Sequence, residues 1–224
     1  LGAGVALGDV VAEVEKLLAD YPASDGVDLE VGGTVEDQGD AFGDLGTLLI
    51  LIVILVYIVM ATQFESLKFP FIIMFTIPFA FTGVFLALWM TSTPLSLIAL
   101  IGAIMLVGIV TKNGIVMVDY MNLLIERGSG VFDAVIAGGK SRLRPVLMTS
   151  FTTILGMLPL AIGTGAGSET WQPMGIAVIG GLTFSTILTL FIVPVLYSIL
   201  VNRSQRKERE KLARLSAEHQ ASKH

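Results

Sequence analysis

Lys112, Asp119 and Thr149 are the residues whose types and positions could do chemistry. Lys112 interrupts the apolar run LSLIALIGAIMLVGIVTKNGIVMVD, Leu95 to Asp119, past its midpoint, and Asn113 follows it directly. A run of that length crosses a bilayer. A cationic side chain at such depth costs about 3 kcal/mol on insertion scales, so a lysine kept there normally has a partner and a task, most often on an ion or proton path. That points to energised transport. The competing reading is a structural ion pair that holds helices together.

Asp119 lies seven residues after Lys112, two helical turns and about 10.5 Å further along the same face. With Thr111 and Asn113 flanking the lysine, these residues are expected to make one side of the helix polar. Asp119 falls near the helix end, where interfacial anchoring competes with a role in chemistry. The partner of Lys112 must be anionic, but Glu65 and Glu126 fall in expected loops and Glu169 on the opposite side of the membrane. The natural candidate is a carboxylate from helices outside this chain. A lysine beside a titrating carboxylate depresses its pKa, and protonating the acid frees the lysine to move. Such a pair is a two-state element driven by protons. Thr149, followed by Thr152 and Thr153, offers hydroxyls that either bond back to their own helix or shift a proton or water.

Five apolar runs must position these groups. They are expected as helices over 45–61, 69–90, 95–119, 145–162 and 174–200, each long enough to span. Pro78 should kink the second, and Pro94 and Pro145 sit where helices three and four are expected to start. Val131 to Arg142 reads as a short interfacial helix, with Val131, Val135 and Ile136 set against Asp133, Lys140 and Arg142. Glycines recur as Gly102, Gly108 and Gly114, and again as Gly175, Gly180 and Gly181, and such small residues let helices approach closely.

Charge segregation sets the orientation. Carboxylates dominate Leu1 to Asp44, where Lys16 is the lone base, whereas 203–224 is rich in Arg and Lys. The Glu126–Arg144 segment, with Arg127, Lys140, Arg142 and Arg144, and the basic tail should both be cytoplasmic by the positive-inside rule. The Thr91–Pro94 turn and the 163–173 loop, which carry no Lys or Arg, should face outward. Trp89 and Trp171 then both fall at the outer interface. Ahead of the spans, Val10, Val11, Val14, Leu17 and Leu18 have helical spacing and Val27 to Val31 alternates like a strand. Residues 1–41 are therefore expected to be the last αβ unit of a soluble domain that lies largely outside this chain, the alternative being a disordered acidic tail.

Composition narrows the function classes. A hydrophobic fraction of 54% and a mean hydropathy of +0.80 exclude an ordinary soluble domain, and the net charge of −5 averages over the two segregated ends. With no cysteine there is no disulfide framework and no thiolate chemistry. An intramembrane aspartyl protease would need two carboxylates sharing a proton, and only Asp119 is near the membrane. Ser168 has no histidine near it, since His219 and His224 are in the far tail. The glycine-rich run 163–168 lacks the Gly-Lys-Ser/Thr ending of a Walker motif. No enzyme, metal-ligand or nucleic-acid signature stands out.

The string Gly108-Ile109-Val110-Thr111-Lys112-Asn113-Gly114-Ile115-Val116-Met117-Val118-Asp119 resembles the fourth helix of the C-terminal membrane half of RND (resistance-nodulation-division) transporters. Arg142-Leu143-Arg144-Pro145-Val146-Leu147-Met148-Thr149-Ser150 is similar to the segment that opens their next helix. Gly156-Met157-Leu158-Pro159-Leu160 and the 163–168 run continue the pattern. The resemblance implies an all-α bundle of five transmembrane helices over 42–202, preceded by a small α/β remnant of a periplasmic porter domain (1–41) and followed by a basic cytoplasmic tail (203–224). It implies a proton-driven efflux pump subunit of the bacterial inner membrane, with the proton as coupling ion and no other cofactor. In the family the lysine at the Lys112 position pairs with two adjacent aspartates of the N-terminal half, and residues like Thr149 and Arg142 belong to the same relay. Asn113 and Asp119 are weaker members of that set, and the Lys-Asn pair looks like the hydrophobe/amphiphile efflux branch. Homotrimers, a periplasmic adaptor, an outer-membrane channel, membrane lipids and an amphiphilic small molecule are the implied partners. A proton-driven protein or lipid exporter and a non-transporting scaffold are the alternatives.

Overall fold

The computed structural model describes residues 13, 14, 16, 17, 34–163 and 168–221, with side chains from 39 to 203 apart from 164–167 and 169 in the bundle region. The strand expected at Val27–Val31 and most of the 1–41 unit lie outside the described residues. Six helices follow in order: α1 (Thr34–Gln63), α2 (Lys68–Met74), α3 (Ile77–Met90), α4 (Leu97–Glu126), α5 (Val131–Ile162) and α6 (Ser168–Ala221). Five segments are long and apolar enough to cross a membrane, with α2 and α3 together forming the second. No strand occurs among the described residues.

Several boundaries differ from the sequence expectation, each for a local reason. The first helix begins at Thr34, so it takes in residues assigned above to the αβ unit. The second span is broken into two helices at Phe75-Thr76. Pro78 has no N–H to give the Met74 carbonyl, and the Thr76 hydroxyl donates to the Ile73 carbonyl at 2.6 Å at the break. The expected interfacial helix 131–142 and spanning helix 145–162 are one continuous α5 running through Pro145. The carbonyl that Pro145 leaves free is that of Ser141, close to the charged end of the helix. There water and polar side chains can satisfy it, and prolines in membrane helices are tolerated on such terms. The last helix likewise passes through Pro173 and Pro194 and continues into the tail.

The bundle has a basic end, marked by the Arg127–Gly130 turn and Arg203, and a tryptophan end with Trp89 and Trp171. Trp89 is 78% and Trp171 50% exposed, as interfacial aromatics are. Helix α6 is the spine, packing on α3, α4 and α5. Towards the tryptophan end, Ala80, Val84 and Leu88 of α3 meet Ala99, Ala103 and Leu106 of α4 and Ile176, Ala177 and Leu182 of α6. Towards the basic end, Met60, Ile72 and Ile73 pack with Met117, Val118, Met121, Val193 and Tyr197.

Glycines set the closest crossing. A Cβ on Gly83 of α3 would lie 2.6 Å from Phe184 Cβ and 2.8 Å from the Gly180 carbonyl oxygen of α6. One on Gly180 would overlap Ala87, and one on Gly181 would overlap Leu106. Only residues without a side chain allow α3 and α6 to touch backbone to backbone. Gly108 differs. Nothing lies within 4 Å of its would-be Cβ, so no packing inside this bundle explains it.

Candidate functional site

Helix α4 carries the candidate residues because it runs unbroken for 30 mostly apolar residues, capped at Ser96, whose hydroxyl accepts the Ala99 N–H at 3.2 Å. Lys112 sits near its middle, more than about 20 Å from either end at 1.5 Å per residue. Its buried stripe, Ala99, Ala103, Leu106, Val110, Gly114, Met117 and Met121, faces the bundle. The opposite stripe, Ile101, Met105, Gly108, Lys112, Asp119 and Leu123, is exposed. Lys112 and Asp119 therefore do share a face, and Gly108 shares it with them.

Thr111 does not join that polar side. It is 3% exposed, and its hydroxyl donates to the Val107 carbonyl at 2.8 Å and the Gly108 carbonyl at 3.1 Å. One residue advances a helix by about 100°, which turns Thr111 into the core while Lys112 looks out. Asn113 is half-buried beside it.

Lys112 makes no hydrogen bond or ion pair with any other described residue, and the structure does not bring it onto Asp119, Thr149 or Arg142. Exposure of a cation at mid-span is tolerable only if something outside the described residues meets it. The surface around it is also incomplete: 6% of the α1 span and 11% of the α5 span are buried, against 44% to 50% for the other three. On α5 the exposed residues include Thr149 together with Met148, Phe151 and Leu155. The Thr149 hydroxyl donates to the Val146 carbonyl at 3.0 Å, and Thr152 and Thr153 bond back to Met148 and Thr149. In this state Thr149 holds its proton on its own helix.

Arg142 and Tyr120 form a contact that the sequence reading missed. The Arg142 guanidinium carbon lies 4.5 Å from the centre of the Tyr120 ring, a cation–π arrangement joining α5 to α4 across the Arg127–Gly130 turn. Its Nε is buried and has no hydrogen-bond partner among the described residues. Removing the ring should loosen the guanidinium by about 0.5–2 kcal/mol. Tyr120→Leu is therefore expected to lower the thermal unfolding midpoint. Tyr120→Phe, which keeps the π face, should retain wild-type behaviour; an equal loss in both variants would rule the stacking out.

Asp119 opens instead into a polar cavity of about 290 Å³ at the basic end, lined by Gln63, Phe64, Glu65, Asn122, Leu123 and Glu126. Behind it, the Tyr197 hydroxyl donates to Asn122 Oδ1, tying α6 to α4. The arrangement thus has two levels: an exposed lysine at mid-span and an acidic vestibule two turns below it.

Known proteins resemble this chain over most of its length. The model of the AcrB/AcrD/AcrF family matches residues 1–201. The swarming motility protein SwrC of Bacillus subtilis is 37% identical over 199 residues, covering 88% of this chain and 19% of that protein. The cobalt-zinc-cadmium resistance protein CzcA of Cupriavidus metallidurans is 39% identical over 177 residues, covering 79% of this chain and 17% of that protein. The crystal structure of a heavy metal efflux pump superposes with a TM-score of 0.79 at 30% identity, over 89% of this chain and 20% of that one. The chain thus spans about a fifth of the length of the proteins it matches. It belongs to the AcrB/AcrD/AcrF family of the RND superfamily of efflux transporters.

Proposed function

We propose that this chain is the C-terminal, proton-coupling part of an efflux pump subunit that exchanges protons for cargo across the bacterial inner membrane. The observation that carries the reading is Lys112: a cation exposed at mid-span with no partner among the described residues. A carboxylate facing it, from the N-terminal half of the parent, is held ionised by the lysine. Protonating that carboxylate removes the attraction and lets α4 shift. Thr149 offers a hydroxyl on the neighbouring exposed face, and Arg142, clamped on Tyr120, carries the movement of α4 into α5. Asn113 polarises the surroundings of Lys112, and Asp119 connects the path to the acidic vestibule. The proton is the coupling ion, and the reading requires no other cofactor.

In this reading the basic end is cytoplasmic, and the tryptophan end and residues 1–41 are periplasmic. The parent works as a homotrimer among membrane lipids, joined to a periplasmic adaptor and an outer-membrane channel. Its cargo is an amphiphilic small molecule, a choice supported by the Lys112-Asn113 string. A second reading, divalent metal ions as cargo, is favoured by the similarity to CzcA and to the heavy metal efflux pump. Inverted vesicles holding the full-length parent separate the two. Under an imposed proton gradient they should accumulate a fluorescent amphiphile and leave zinc, cobalt and cadmium outside; proton-driven metal uptake alone would replace the first cargo by the second.

A further inference from the structure

Six serine and threonine side chains are buried among the described residues: Thr76, Thr111, Ser150, Ser185, Thr186 and Thr189. Thr111 and Ser185 donate to carbonyls of their own helices, the habit of such residues in apolar helices, and Thr76 donates to the Ile73 carbonyl at the end of α2. Ser150 of α5 and Thr186 of α6 meet each other at 2.9 Å. Thr189 is the exception, because its Oγ1 is buried with no hydrogen-bond partner among the described residues.

Thr189 is 1% exposed. This bundle already seals it, so no helix supplied by the rest of the parent can reach its hydroxyl without prising α6 loose. Lys112 is the opposite case, exposed and open to a partner from elsewhere. A group that fits a sealed polar site must be very small. Thr186 and Thr189 are three residues apart on one helix, which puts their Cβ atoms about 5–6 Å apart on one face. That separation suits one water bonded to both hydroxyls at about 2.8 Å each. Buried waters sit where two to four otherwise unsatisfied polar groups converge, and Ser150 brings the third hydroxyl.

We propose that Ser150, Thr186 and Thr189 form an internal water-binding site between α5 and α6, on the buried face of α5. The site links the helix bearing Arg142 and Thr149 to the spine of the bundle by hydroxyls and a water that can exchange partners as the helices shift. It goes beyond the transport reading and stands whether or not that reading holds.

The test is a cryo-EM structure of the full-length parent at a resolution that shows ordered water, together with thermal unfolding of Thr189→Val and Thr189→Ser. The proposal expects density within hydrogen-bond distance of Thr186 Oγ1 and Thr189 Oγ1. It also expects a lower unfolding midpoint for the valine variant and a midpoint near wild type for the serine variant. A Thr189 hydroxyl turned onto the Ser185 carbonyl with no density beside it would overturn the proposal. So would a valine variant that unfolds at a higher temperature than wild type, the mark of a hydroxyl that had no partner. Proton-dependent efflux of wild type and Lys112→Ala, measured on the same preparations, reports on the transport reading separately.

Discussion

Lys112→Ala in the full-length parent is expected to reduce proton-dependent efflux to background while membrane abundance stays at the wild-type level. The side chain is exposed on α4 and takes part in neither packed cluster, so its truncation leaves no cavity in the bundle. The proposed partner carboxylate would be free to take up a proton once the neighbouring cation is gone, so no unpaired charge would be left in the membrane. Folding is spared for that reason, while the proton-dependent switch is lost. Lys112→Arg keeps the charge but replaces a compact ammonium with a planar fork, and partial activity is expected. A scaffold lysine would behave differently. Breaking a structural buried pair costs about 3–5 kcal/mol, and protein level would fall before any transport defect could be read. Immunoblots of isolated membranes beside efflux of a fluorescent amphiphile distinguish the two.

The second large effect belongs to the α3–α6 crossing. Gly83→Val is expected to lose most of the protein from the membrane. Its Cβ alone would lie 2.8 Å from the Gly180 carbonyl oxygen and 3.1 Å from Gly181 Cα, and backbone atoms cannot swing aside as a side chain tip can. Overpacking of this kind costs about 1–3 kcal/mol and sometimes more, and the branched side chain places it at the upper end. Gly108→Ala is the contrasting case. Its Cβ meets nothing within 4 Å in this chain, and alanine is favoured over glycine in a helix by about 1 kcal/mol. Abundance should therefore hold, while efflux falls if a helix of the parent crosses closely over Gly108 beside Lys112. Detergent-solubilised yield and unfolding midpoint measure the first effect, and efflux at matched abundance the second.

The five spans were legible because each is a long apolar run bounded by polar or charged turns, and hydropathy needs no tertiary information. Helix ends were less legible. Hydropathy marks where the bilayer would end, but α6 runs on to Ala221 and α5 reaches back to Val131 through charged sequence. Proline was read as a kink at Pro78, where the helix breaks outright, and wrongly as a helix start at Pro94, which precedes the Ser96 cap, and at Pro145, which lies inside α5. The polar face of α4 was half legible: the seven-residue spacing placed Asp119 with Lys112, but Thr111 was assigned to the wrong side. Contacts between distant residues were not legible at all. Tyr120 on Arg142, Asn122 with Tyr197 and Ser150 with Thr186 depend on how helices cross, which no single-chain periodicity encodes.

The central claim, that Lys112 couples protons to cargo, is tested most directly by proton movement itself. Full-length parent reconstituted into liposomes with a pH-sensitive dye inside should show cargo-dependent proton flux for wild type. Lys112→Ala at the same reconstituted amount should show none. Cargo-dependent proton flux in the variant equal to that of wild type would contradict the account and return Lys112 to a purely structural role.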